Sequence, residues 1–372
     1  MARVPVMLLC HTLGIGGSER QLTETAKALD PARFDVHVGA FHTEGLRAGE
    51  LDAKSIPVIK IPVRSFGNAS LIQGAITLRR YVKEHGIRLV HSFDVPLSAF
   101  LPFAWPLPPR PVILTSQRAH RHLAPRLHRS LVRISDRLAD GIVVNCEFVR
   151  RHLIEDEHVR PESIHLCYNG IDTERFSPGA PANVPELLRG GDPVVGVVCA
   201  LRSEKDLPTL IRAFSALVKR RPQARLLIVG SGPEESHLKR IADELGISRA
   251  VLFSPSTADV VPWLRLLDIF VLPSISEALS NALIEAMACG ICTVASRVGG
   301  NPELTGADQR GFLFEAGDSD QLGALLLRLA ENPELRRAKA SEAREWIVAN
   351  MSIAHAARNM AAIYEKHLAA RK

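Results

Sequence analysis

Apolar residues in this chain gather in short runs that alternate with stretches of helical spacing. The runs at residues 4–10, 34–40, 89–91, 112–114 and 141–145 are apolar enough to predict strands. Strand followed by helix, repeated, is the rhythm of a parallel α/β sheet, expected over residues 1–176. Pro and Gly then gather at Pro178, Gly179, Pro181, Pro185, Gly190, Gly191 and Pro193, and a linker is expected at 177–191. The alternation restarts with strands at 194–199, 225–229, 251–253, 269–272 and 291–295, with helices such as 207–219 and 234–245 between them. This predicts a second α/β domain over 192–350. Helical spacing dominates after Asp318, and the final helix, 351–372, either caps the second domain or crosses back to the first. Two such domains facing one another would enclose a cleft fit for two substrates.

Composition narrows the class of protein. The 372 residues are 46% hydrophobic and 23% charged, ordinary globular material. No window approaches the 18 or more apolar residues of a spanning helix, and residues 1–10 are too short for a signal peptide, so a cytoplasmic protein is expected. The six cysteines are scattered, and Cys289 and Cys292 read as small core residues at a helix-to-strand turn rather than half of a metal site.

The net charge of +6 is uneven. Residues 1–180 hold 23 Lys and Arg against 18 Asp and Glu, while the remainder is nearly balanced at 23 against 22. Much of the excess lies at 118–137, where Arg118, Arg121, Arg126, Arg129, Arg133 and Arg137 are interleaved with Leu123, Leu127, Leu131 and Ile134. That spacing predicts a basic amphipathic helix, either a solvated face or a surface for anionic lipid or an acidic acceptor. Nucleic acid is disfavoured because no series of stacking aromatics accompanies the arginines.

The most telling chemistry follows the run at 269–272. The segment Pro273-Ser274-Ile275-Ser276-Glu277 leads into Ser280-Asn281-Ala282-Leu283-Ile284-Glu285-Ala286-Met287, with Leu283, Ile284 and Met287 at helical spacing. Glu277 is therefore expected in a loop at the carboxyl end of a strand, and Glu285 inside the following helix. Open α/β sheets bind ligands at such ends, and a helix N-terminus there favours an anion. An anionic donor with hydroxyls for two carboxylates suits the position. Four more segments follow strands in the same way: Gly14-Ile15-Gly16-Gly17-Ser18-Glu19, Arg202-Ser203-Glu204-Lys205, Gly230-Ser231-Gly232-Pro233 and Gly299-Gly300-Asn301-Pro302-Glu303. Gly16 and Gly17 permit close backbone approach to a phosphate or sugar, and Arg202 and Lys205 supply cations for a diphosphate. The first segment is no dinucleotide fingerprint, since Glu19 stands where GxGxxG needs its third glycine, which counts against an NAD-dependent oxidoreductase.

These segments, with Asn169-Gly170-Ile171-Asp172 and the order in which they occur, resemble the retaining glycosyltransferases of family 4 over nearly the whole chain. The resemblance implies a GT-B fold of two Rossmann-like domains, a nucleotide-sugar donor held mostly by the second and an acceptor held by the first. It implies that Glu285 takes the ribose hydroxyls and Glu277 those of the donor sugar. Arg202 and Lys205 would neutralise the diphosphate without a metal or other cofactor. Backbone amides of Ala278, Leu279, Ser280 and Asn281 would complete the sugar pocket, and Phe253 and Ser254 would lie near the base. Two positions depart from the pattern. The family often carries His-x-His where this chain has His91-Ser92-Phe93, leaving His91 and Asp94 as the polar candidates on the sugar and acceptor side. The arginine, usually in a Gly-Arg-Leu opening, stands at Arg202 after Cys199-Ala200-Leu201.

The expected activity is metal-independent transfer of a hexose-type sugar, with retention, from a UDP- or GDP-sugar to an acceptor hydroxyl. The acceptor would be a glycan or lipid-linked molecule in envelope or exopolysaccharide synthesis, and the enzyme would work in the cytoplasm, with peripheral contact at the inner face of the plasma membrane through residues 118–137. The alternatives are a nucleotide-sugar epimerase or phosphorylase on the same fold, and a nucleotide-sugar-binding subunit without turnover.

Overall fold

The computed structural model describes residues 3–106, 109–118 and 126–371, the side chains of 126–129 excepted. The chain forms two compact units, residues 1–170 with 353–372, and residues 171–352. The division precedes the expected 177–191 linker, which belongs wholly to the second unit. There Arg265 Nε donates to the Ser177 carbonyl at 3.1 Å and Leu188 is buried.

The first unit carries strands β1 (Val4–Cys10), β2 (Phe34–Ala40), β3 (Val58–Lys60), β4 (Leu89–Ser92), β5 (Val112–Gln117), β6 (Gly141–Val144) and β7 (Ile164–Leu166). Between them run helices α1 (Gly17–Ala28), α2 (Leu46–Asp52), α3 (Ser70–Glu84), α4 (Val95–Ala104), α5 (Arg126–Leu138) and α6 (Glu147–Glu155). All strands are parallel in the order β3-β2-β1-β4-β5-β6-β7, so the winding direction reverses between β1 and β4. One face of the sheet packs Val6, Leu8, Leu89, Leu114 and Val143 against Leu22 of α1; the other packs Met7, Leu9, Val90 and Ile113 against Leu78 of α3 and Phe100 of α4.

The second unit follows the same plan. Strands β8 (Val194–Val198), β9 (Arg225–Val229), β10 (Val251–Ser254), β11 (Ile269–Leu272), β12 (Cys292–Ser296) and β13 (Phe312–Phe314) form a parallel sheet in the order β10-β9-β8-β11-β12-β13, reversing between β8 and β11. Helices α7 (Leu207–Arg220), α8 (Glu235–Glu244), α9 (Val261–Leu264), α10 (Asn281–Ala288), α11 (Asn301–Thr305), α12 (Ser319–Glu331) and α13 (Pro333–Met351) belong to it. Cys289 caps the end of α10 and Cys292 opens β12; both are buried free thiols.

The final helix, α14 (Ile353–Ala369), belongs to the first unit, the second of the two placements open from the sequence. Its Met360, Ala361, Tyr364 and Leu368 join the core beside α1. The Asn169-Gly170-Ile171-Asp172 motif sits at the other passage between units. Gln21 of α1 holds Gly170 by both its carbonyl and its amide, at 3.0 and 2.8 Å, and Ile171 N–H donates to Met351 O at 2.8 Å. Asp172 Oδ1 accepts the amides of Glu174 and Arg175. The motif thus organises the chain's passage from one unit to the next.

Candidate functional site

In an open parallel sheet the loops on either side of the reversal part company and leave a crevice at the carboxyl ends of the strands. In the second unit those loops follow β8 and β11. The loop after β8 makes a turn at Ser203–Lys205 and passes through Asp206 in the left-handed region (φ 45°) before α7. It is tied to the loop after β11 by the Ile275 amide, which donates to Glu204 O at 2.9 Å. This places Lys205 Nζ 2.5 Å from Glu277 Oε1, with the two side chains 21% and 11% exposed.

Glu277 is held from below as well. Ser274 Oγ donates to Glu277 Oε1 at 2.9 Å, Ser296 Oγ at the end of β12 donates to Ser274 O, and Asn301 Nδ2 donates to Ser296 O at 3.0 Å. Ser274, Ser296 and Asn301 are all fully buried. Gly299 closes the back of the site in the left-handed region (φ 56°), so near the Glu277 carbonyl that a Cβ there would lie 1.8 Å from it. Gly300 N–H donates to Ala278 O at 2.7 Å. The Gly299-Gly300 segment therefore works as a backboard for the Glu277–Ala278 backbone.

The helix that follows carries the other carboxylate. Ser280 caps α10, its Oγ accepting from Leu283 N–H at 3.3 Å, and Glu285 lies inside the helix, 7% exposed. Ala278, Leu279 and Ser280 are buried and Asn281 is half-buried at the helix start. Arg202, by contrast, projects to solvent with its side chain 65% exposed, and its nearest carboxylate is Glu204 at 3.9 Å. Phe253 and Ser254 end β10 at the sheet edge, where Lys239 Nζ lies 5.6 Å from the Phe253 ring centroid and Ser254 O accepts from Gly230 N–H. Gly230-Ser231-Gly232-Pro233 is a tight connection: a Cβ on Gly230 would meet Cys199 O at 1.8 Å.

The corresponding loops of the first unit follow β1 and β4. Gly16 caps α1 and Gly17 opens it, but the Glu19 carboxylate folds back over Gly16, and Glu19 Oε1 accepts from Thr12 Oγ1 at 2.8 Å. The space for a phosphate beside Gly16 is thus filled by a carboxylate of the chain itself. Asp94 has both oxygens engaged by backbone amides, Oδ1 by Leu97 at 3.0 Å and Oδ2 by His11. It caps α4 and pins the β1 loop across the reversal, and burial pushes its carboxyl up to about 7.

His91 corrects the expectation of a sugar-side contact. It is fully buried, its Nδ1 hydrogen-bonded to Tyr364 Oη at 2.7 Å and its Nε2 to Ser116 Oγ at 2.8 Å. Burial, with the nearby Arg118, holds its pKa well below the usual histidine range. A ring with both nitrogens engaged in the core has nothing to offer a ligand. Phe93 is also fully buried.

The basic helix is partly neutralised. Of its expected members, Arg121 and Leu123 lie outside the described residues, as do the side chains of Arg126, Leu127 and Arg129. Arg133 is held by both oxygens of Glu157, at 2.7 and 3.2 Å, and Arg118 turns inward to Asn169. Among the described residues no helix is long and apolar enough to cross a membrane. The supporting residues Ser274, Ser296 and Asn301 have no role assigned from the sequence: Ser274 and Asn301 fall inside the candidate segments, and Ser296 has no signal there.

The molecule is similar to known proteins in both halves. Residues 15–175 match the model described as Glycosyltransferase Family 4, and residues 182–346 that of Glycosyl transferases group 1. A D-inositol 3-phosphate glycosyltransferase from Saccharomonospora viridis is 33% identical over 222 residues, 56% of this chain and 51% of that protein. A GDP-mannose-dependent monoacylated alpha-(1-6)-phosphatidylinositol monomannoside mannosyltransferase from Corynebacterium glutamicum is 32% identical over 196 residues, 50% of this chain and 51% of that one. The chain spans about half the length of the curated relatives it matches. In three dimensions it is similar to Anabaena HepE in complex with UDP, with a TM-score of 0.83, 20% identity, and 98% and 100% of the two chains covered. That likeness shows the GT-B fold, and with both family models matched, the chain belongs to glycosyltransferase family 4.

Proposed function

We propose that the protein is a cytoplasmic glycosyltransferase that moves a hexose-type sugar, with retention of configuration and without a metal, from a UDP- or GDP-sugar to an acceptor hydroxyl in envelope or exopolysaccharide synthesis. The observation that carries this reading is the Lys205–Glu277 pair, held over the β8/β11 reversal beside the start of α10. Lys205 supplies positive charge where a diphosphate leaving group gathers negative charge, and stabilising developing charge with groups already in place is the main source of rate enhancement in many enzymes. Glu277 keeps one oxygen on Lys205 and Ser274 and has lone pairs left for sugar hydroxyls. Glu285 would take the ribose, with the amides of Ala278, Leu279, Ser280 and Asn281 around the sugar and Phe253 and Ser254 toward the base. Arg202, already in solvent, is the long flexible cation that could swing onto the diphosphate. The relatives' names support nucleotide-sugar use: one is GDP-mannose-dependent, and HepE has also been solved with UDP-glucose.

The test is incubation with a panel of UDP- and GDP-sugars in EDTA, measuring nucleotide release beside binding, with Glu285→Ala as control. Release from one donor that survives EDTA and is lost in the variant is expected. Binding without release, with or without candidate acceptors, would instead mark a nucleotide-sugar-binding subunit, and release that stops in EDTA would refute the metal-free mechanism.

A further inference from the structure

Arg118 is a half-buried cation that meets no carboxylate among the described residues. It follows β5, and its Nη1 donates to Asn169 Oδ1 at 2.8 Å while the guanidinium lies 4.9 Å from the centroid of the buried Phe93 ring. Arg33, Arg110, Arg133, Arg175 and Arg371 each meet a carboxylate; no carboxylate among the described residues pairs with Arg118. The ionisable groups that interact with it are Cys167, Tyr364 and His91; burial raises the pKa of the first two and, with Arg118, lowers that of His91, so all three are neutral. Burial lowers the pKa of Arg118 itself to about 10. A desolvated charge is costly unless an opposite charge meets it, so a fold that retains one without a partner points to a partner supplied from outside.

Two orphaned polar atoms support this. Arg118 Nε, a donor, and Asn145 Oδ1, an acceptor, are buried without hydrogen-bond partners, and Asn145 is only 2% exposed. Both residues leave the carboxyl ends of adjacent strands. The last pair of that ladder is Gln117 with Val144, and Arg118 and Asn145 are the next residue of each strand. Arg118 as a whole keeps intermediate exposure although its Nε is buried. An unmet donor on a cation and an unmet acceptor, one residue past the ends of paired strands, fit a group that offers an oxyanion and a hydroxyl together.

We propose that Arg118, with Asn145 and Asn169, forms a receptor in the first unit for an anionic, hydroxylated acceptor, one carrying a phosphate or carboxylate next to a ring hydroxyl. This rests on the transferase reading for the word acceptor, and it gives that reading a substrate class. The competing source of the same oxyanion chemistry is the diphosphate of the donor.

The experiment uses the full chain, with inorganic phosphate as the probe for this site and UDP as the probe for the donor site, both followed by calorimetric titration. Phosphate is expected to bind the wild type in the presence of saturating UDP, to bind Arg118→Gln about tenfold or more weaker, and to recover in part in Arg118→Lys. UDP affinity should be the same in all three. Without phosphate, Arg118→Gln should melt no lower than the wild type, because it removes an uncompensated, half-buried charge. Absence of phosphate binding to the wild type, or equal binding to Arg118→Gln, overturns the proposal. Displacement of phosphate by UDP together with loss of UDP affinity in Arg118→Gln assigns the arginine to the donor and overturns it too, as does a lower melting temperature with phosphate indifferent to the substitution. Phosphate binding at Arg118 without nucleotide release from any donor would refute the transferase reading alone; release with phosphate indifferent to Arg118 would refute this inference alone.

Discussion

Gly299→Ala tests whether Glu277 is positioned by the backbone behind it. The added Cβ would lie 1.8 Å from Glu277 O, whereas real Cβ contacts stay beyond 3.0 Å, so that carbonyl or the Gly299 loop must retreat by more than about 1 Å. The atom that has to move is main chain, so no side-chain rotation relieves the clash. Positive φ at residue 299 adds a strain of about 1–2 kcal/mol for an alanine. A misplacement of about 1 Å at a reacting centre costs on the order of 10²-fold in rate, or about 2.7 kcal/mol of transition-state stabilisation.

Gly317→Ala is the control. Gly317 also has positive φ (82°), but its Cβ would meet nothing within 4 Å, so this variant carries the strain without the displacement. Both variants should melt a few degrees below the wild type, and only Gly299→Ala should lose donor binding and nucleotide release, with kcat/KM down about 10²-fold. Turnover in Gly299→Ala within about twofold of Gly317→Ala would refute the reasoning, because Glu277 would then be free to find its place without the backboard.

Three further outcomes follow from the geometry. Lys205→Ala should lower kcat by about 10²–10³ with a smaller change in donor affinity, while Glu285→Ala should weaken donor binding about tenfold, a contrast visible in kinetics set beside calorimetry. Tyr364→Phe keeps the ring against Phe34 but strips Nδ1 of the fully buried His91 of its partner, so it should cost about 1–3 kcal/mol in denaturant melts, much of it absent when His91 is also replaced by an apolar residue. His165 and His367 meet Nε2 to Nε2 at 2.8 Å, and burial followed by the His367 charge lowers His165 from 6.5 to about 4. Because His165 stays neutral in the folded state and takes up a proton more readily when unfolded, its contribution is intact above about pH 6.5 and is lost as pH falls toward 4. His367 shifts in the same direction, with Lys366, Arg371 and Asp140 around it. Both rings are partly exposed and the effect is correspondingly modest. The melting temperature of His165→Phe should therefore fall less than that of the wild type across this window, and parallel curves would refute the assignment.

What the sequence made legible follows the reach of its signals. Strands such as Val194–Val198 and Ile269–Leu272 are covered on both faces and read as apolar runs without further information. The strands at Val58–Lys60, Ile164–Leu166 and Phe312–Phe314 escaped, because each sits at a sheet edge and three residues are too few to show a period. Helix α14 was visible as a helix, but its apolar face looks the same whichever core it joins, and the choice was made by Phe34 and His91, hundreds of residues upstream.

The site obeys the same division. Lys205 and Glu277 are 72 residues apart, yet their meeting was inferable, since both leave the carboxyl ends of neighbouring parallel strands where the winding reverses. His91 leaves a strand end too, and its sequence neighbourhood reads equally well as a site. What removes it is a pair of partners, Ser116 and Tyr364, that no local pattern announces. Arg118 failed in the opposite sense: grouped with the arginines of α5 by proximity, it follows the end of β5 and turns inward to Asn169. Topology can be read forward from sequence and locates the crevices; which polar groups at a crevice remain open to a ligand depends on long-range pairing. The residues to test first are accordingly those whose hydrogen-bonding capacity the fold leaves unspent, Glu277 in the second unit and Arg118 in the first.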